Sequence, residues 1–198
     1  MKPPADTEDD EMNPDHALDG AWVEGVLRFW FAELREADWW TKSAANDARI
    51  RERFLDLHAH LVAADGGVSG TARPALAAVI VLDQFSRNIF RGTPRAFAAD
   101  PIARRLARDA VASGFDAELQ PRERLFLYLP FEHSEDRADQ ALSVELIARL
   151  GREDWTRYAL AHQSVVDRFG RFPHRNAVLG RESTAEEIVA LRDPKNSF

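Results

Sequence analysis

An all-α domain is the fold class this sequence predicts, on three observations. Apolar residues recur at three- and four-residue spacing along most of the chain. The segments that carry this spacing begin and end at capping residues, prolines and glycines. No β-hairpin signal is present and the connections are short, so about eight sequential helices should pack as antiparallel pairs.

Each helix has its own signature. Trp22, Val23, Val26, Leu27, Trp30 and Phe31 lie on one face of the first. Asn46 or Asp47 is suited to cap a second, which carries Ile50, Phe54, Leu57 and Leu61 and stops at "DGGVSG". Thr71 and Pro74 open a third through Leu76, Val79, Ile80 and Asp83. Its "AVIVL" stretch could be a buried strand taken alone. The alanines before it, and Asp83 and Arg87 four residues apart, favour helix. Asp100-Pro101 starts the fourth, with Ile102, Leu106 and Ala110 inward and Gly114 as its stop. Pro121 starts a fifth that Pro130 is expected to break. Ser134, with Glu135 and Asp136, should cap a sixth bearing Leu142, Leu146 and Leu150, ending at Gly151. Trp155, Tyr158, His162, Val165 and Phe169 define the seventh, and Thr184 with Glu187 forms a capping box for the eighth, through Ile188 and Leu191.

Composition bounds what such a domain can do. A chain of 198 residues with 45% hydrophobic content is the size of one domain with a substantial core. The net charge of −7 is concentrated at the start, where Asp6, Glu8, Asp9, Asp10, Glu11, Asp15 and Asp19 face only Lys2. Residues 1–18 therefore read as an acidic, flexible leader before a single domain over 19–198. The near-neutral body lacks the basic excess of a nucleic-acid binder. No apolar run approaches a membrane span and no secretory signal is visible, so the expected location is the cytoplasm. With no cysteine there is no disulfide and no thiolate metal site. No phosphate loop, dinucleotide fingerprint, "HExxH" or "GxSxG" occurs, so no cofactor and no metal are expected.

Three polar clusters interrupt the apolar pattern. "LDQFSRNIFR" places Asp83 and Arg87, and Gln84 and Asn88, one helical turn apart. Arg87 and Arg91 on one side repel, so an acceptor must lie near them, in the protein or in a ligand. "LPFEHSED" puts Glu132 and His133 at a turn between helices, where they suit capping or acid–base work. His162 lies on an apolar helix face, a position for a satisfied core histidine or a third catalytic candidate. Beyond it, Gly170 and Pro173 shape a rigid exit that delivers Arg168, Arg171, His174, Arg175 and Asn176.

The strings "LDQFSRNIFRGTPRAFAAD", "LPFEHSED" and "RFGRFPHRNAVLGRESTAEE", with "VLRFWF" and "WW" before them, resemble the bacterial domain-of-unknown-function 924 family over residues 22–192. That resemblance implies a tetratricopeptide-repeat-like α-solenoid of stacked helix pairs and supplies no function. Three readings of the clusters are open. In the first, they line a groove for an anionic small molecule or an acidic peptide, with Asp83, Arg87, Asn88, Arg91, Arg168, Arg171, His174, Arg175 and Asn176 as ligand-binding residues. In the second, Glu132 or His133 is a general base, with Arg87 and Arg168 stabilising negative charge. In the third, all are architectural. An arginine without a carboxylate partner in a cleft would mark a ligand site.

Overall fold

The longest apolar run, "PALAAVIVL", is helical and forms the centre of the molecule. In a computed structural model that describes residues 20–67 and 70–193, every residue from 75 to 86 is buried. A helix apolar on all sides has no solvent face to offer and must be surrounded. It comprises α4 (Ala72–Val79), a π-helical stretch (Ile80–Phe85) and α5 (Ser86–Ile89). Around it lie α1 (Ala21–Arg28), which continues as a second π-helical stretch (Phe29–Glu33), the short α2 (Glu36–Trp39) and α3 (Ala44–Ala63). They are followed by α6 (Asp100–Ala112), α7 (Pro121–Glu132), α8 (Arg137–Ala148), α9 (Glu153–Phe169) and α10 (Ala185–Ala190).

Packing follows from the faces these helices bury. The π stretch after α4 and α5 both rest on α3, while α4 meets α1, α6 and α7. Beyond this, α7, α8 and α9 pack in chain order. Phe85 joins the aromatic rings of α3 and of the π stretch after α1. Its ring lies 4.8 Å from Phe54, 5.9 Å from Phe29 and 5.5 Å from Trp30, mostly edge to face. On the other side Ala103, Ala107 and Ala110 of α6 are buried, and such small residues let α6 approach α4 closely.

The all-helical class is as the sequence predicts, and no strand occurs among the described residues. Several local expectations are corrected. Ser43, rather than Asn46 or Asp47, caps α3, accepting from the Asn46 amide at 3.2 Å. Pro130 does not break α7, which runs on to Glu132. It stands in the last helical turn, where its missing N–H leaves a single carbonyl without a helical donor. Asp136, rather than Ser134, caps α8 by accepting from the amides of Ala138 and Asp139. Tyr158 and Ile188 face outward, and Ala159 and Glu187 are buried instead. Gly170, at a φ of 70°, ends α9 in the left-handed conformation. The acidic leader lies outside the described residues.

Candidate functional site

The π-helical stretch accounts for the position of Asp83. A π turn admits an extra residue into a helix and re-aims the side chains on it, and such turns recur at functional sites. Asp83 is fully buried, yet it faces the end of α7, where His133 forms the C-cap. His133 Nδ1 donates to both carboxylate oxygens of Asp83, at 2.9 and 3.0 Å. Arg87, one helical turn on, ion-pairs with Asp83 at 3.3 Å and donates twice to Asp100 at the start of α6, at 3.0 and 3.1 Å. The result is one continuous chain of groups, His133–Asp83–Arg87–Asp100.

Electrostatics fixes the protonation of this chain. Burial alone would push the Asp83 carboxyl up, but Arg87, with His133 behind it, outweighs burial and holds it well below the usual carboxylate range. Burial lowers His133 below the ordinary histidine value, against the pull of Asp83. Asp83 is thus the anion and Arg87 its countercharge, while His133 contributes a neutral N–H donor. A charged acceptor at Nδ1 places the proton there and leaves the lone pair on Nε2.

Arg175 approaches from the 3-10 turn Pro173–Arg175. The residue is 7% exposed, and its guanidinium lies between Phe97 and Phe172, 4.8 and 4.5 Å from the ring centroids. Its charged neighbour is Asp100, 3.8 Å away, beyond hydrogen-bond reach. The buried Nε has no hydrogen-bond partner, and no acceptor among the described residues hydrogen-bonds the other two nitrogens. Burial, helped by the charge of Arg87, lowers its pKa to about 10, so it stays a cation at neutral pH. Arg175 and His133 line the same cleft of about 320 Å³, together with Phe97, Asp100, Arg104 and Glu135.

Glu132 and His162 form a second pair behind His133. His162 Nδ1 is 3.2 Å from a Glu132 oxygen and 2.9 Å from the Tyr158 carbonyl, to which it donates. Burial and the nearby Asp83 charge push Glu132 up to about 8, and burial drives His162 down to about 3. Both are therefore neutral at pH 7. Their side chains do not line the cleft.

Of the groups singled out in the sequence, Asp83, Arg87, Glu132, His133, His162, His174 and Arg175 come together. Burial, and then the charge of Arg175, lowers His174 to about 4. The others lie apart. Asn88 and Arg91 both hold Asp47 on α3, with Arg91 donating at 2.6 and 2.8 Å. Arg168 pairs with Glu186 at the surface. Arg171 forms a two-pronged pair with Glu187, and Asn176 donates to Ser183 and Glu187. These pairs secure the segment after α9 to α10. Asp100, Arg104, Phe97 and Glu135 belong to the cleft although the sequence gives no separate sign of it. Asp100 and Glu135 sit where helix starts explain them, and Phe97 looks like any core aromatic.

Among the described residues, no group of three or more histidine, aspartate and glutamate side chains is placed to hold a metal ion. None of their helices is long and apolar enough to cross a membrane. Comparison with known proteins then fixes the lineage. The model of a bacterial family described as proteins of unknown function, DUF924, matches residues 26–195. The chain belongs to the DUF924 family. A protein of unknown function from Agrobacterium tumefaciens, of known structure, is 40% identical to this DUF924 chain, covers 86% of it and 97% of its own length, and superposes with a TM-score of 0.80. No curated protein matches significantly.

Proposed function

We propose that the cleft beside α6 and the α7–α8 turn binds a small oxyanion, a carboxylate or a phosphate, through Arg175. One observation carries this reading: a buried guanidinium opens on a cleft without a hydrogen-bond acceptor of its own. Leaving such donors unmet is costly, and an oxyanion satisfies two of them at once. Arg87, Arg91, Arg168 and Arg171 each have a protein carboxylate already. The test is thermal unfolding in the presence of a panel of carboxylates and phosphates. At about 100 times its Kd a ligand adds about 2.7 kcal/mol, or roughly 5–10 °C for a chain of this length. Arg175→Ala should abolish that shift, while Arg91→Ala and Arg171→Ala should retain it. A shift that survives Arg175→Ala, or none across the panel, refutes the reading.

A second reading, acid–base catalysis, is favoured by the Asp83–His133 pair. A carboxylate that fixes an imidazole by its Nδ1 presents Nε2 as a general base. In this version Arg175, rather than Arg87 or Arg168, faces the developing charge. It requires a turnover that His133→Gln abolishes while anion binding persists.

A further inference from the structure

The two groups that meet in the cleft make different demands on a ligand. Arg175 offers only N–H donors, which any oxyanion can meet. His133 offers the opposite. With its proton committed to Asp83, Nε2 presents a lone pair, and no donor among the described residues satisfies it. An unprotonated oxyanion seated on Arg175 would bring oxygen lone pairs against that nitrogen. A proton between them turns the repulsion into a charge-assisted hydrogen bond.

Charge balance points the same way. The cleft and the groups paired with it hold five guanidinium groups, of Arg87, Arg104, Arg108, Arg175 and Arg181. Four carboxylates oppose them, of Asp83, Asp100, Glu135 and Asp139. One positive charge is left over, on the Arg104 side of the cleft, where Arg104 and Arg108 share Asp139. A doubly charged anion exceeds it by one, and a single proton restores neutrality. Among the other titratable groups around His133, Asp100 lines the cleft and burial raises its carboxyl, but both of its oxygens already accept from Arg87. Glu132 and His162 lie behind the ring and off the cleft, and His174 is held neutral on the side of Arg175.

We infer that the cleft takes a phosphate-type oxyanion together with one proton, shared between an anion oxygen and Nε2 of His133, while Arg175 holds the anion's remaining oxygens. This rests on the anion-binding reading of Arg175 and adds to it the chemistry of the ligand. No covalent bond changes: a dianion in solution and a proton from the solvent enter, and the bound monoanion, or the anion beside an imidazolium, results.

Calorimetric titration with inorganic phosphate near pH 8, in two buffers of different protonation enthalpy, measures the protons taken up. About one proton per bound phosphate is expected, falling towards zero at lower pH, where phosphate already carries it. Sulfate keeps no proton, so its binding should place the proton on His133 and show the same uptake. His133→Phe should bind phosphate with no uptake. Arg175-dependent binding with no proton uptake, or uptake unchanged in His133→Phe, overturns this inference and leaves the anion site standing. Absence of phosphate and sulfate binding overturns the site itself. Should His133→Phe not fold, imidazole NMR titration of the natural chain serves instead. One histidine pKa must rise when sulfate, which keeps no proton, is added, and six unmoved histidines overturn the inference.

Discussion

Glu132 keeps its proton in the fold at a pH where an ordinary glutamate has lost it. In the unfolded chain its carboxyl ionises near 4.5, and in the folded protein near 8. Across that window the folded state binds the extra proton, so this residue makes stability fall as pH rises from about 4.5 to about 8. Glu132→Gln keeps the shape and removes the titration. The variant should gain on the natural protein as pH rises from 5 to 9, by up to a few kcal/mol in denaturant unfolding. Parallel stability profiles would count against a buried neutral carboxyl. Arg175 shows the limit of sequence reading at this scale. It stood among five polar residues of one exit segment. Their partners, on α10 for Arg171 and Asn176 and, short of hydrogen-bond reach, Asp100 of α6 for Arg175, follow from distances across the fold that local spacing does not encode.

At the scale of elements, the segment between α9 and α10 is what carries Arg175 to the cleft, and Glu135 holds it there. One carboxylate oxygen of Glu135 accepts from the Phe172 amide at 2.7 Å, and both accept from Arg181, at 2.7 and 2.9 Å. Arg181 in turn donates to the side chain of Asn176 and to the Phe172 carbonyl. Glu135→Ala should cost about 1–3 kcal/mol, since it removes hydrogen bonds to a charged group that is largely shielded. It should also speed hydrogen exchange at the Phe172 amide ahead of global unfolding. Unchanged exchange there would detach Glu135 from this role. Helix positions were legible because periodicity and caps are local. The exceptions were also physical: Pro130 is tolerated at a helix end, and a π turn differs from an α turn by one residue, which apolar spacing cannot resolve where every position is apolar. Glu135 was hidden because a helix start already explains an acidic residue.

For the molecule as a whole, the central helix joins core and cleft. Phe85, at one end of the π stretch, anchors the rings of Phe29, Trp30 and Phe54, and Asp83 two residues earlier anchors His133. Phe85→Ala should cost about 3–5 kcal/mol, a large share of the 5–15 kcal/mol that holds a typical domain together. A single cooperative denaturation curve with a much lower midpoint is expected, and anion binding should be lost together with the core. A small shift, or a separate early transition, would show that the two halves fold apart. The all-helical class was visible in the sequence because it needs only the sum of local patterns. The meeting of α6, α7 and the 173–175 turn was not, because it depends on which faces find each other across more than 70 residues of chain.

The π turn at Ile80–Phe85 also makes the site sensitive to chain length. Such a turn holds one residue more than regular winding requires. Removing a single residue from it would restore an ordinary helix and keep nearly all of its hydrogen bonds. It would also re-aim the side chains within the turn, Asp83 among them, while the helix on either side keeps its direction. The acid on this helix and the histidine on α7 would then face different ways, although neither had been replaced. Among relatives of this chain, a gain or loss of one residue here is therefore a change at the site, even where every polar side chain is kept.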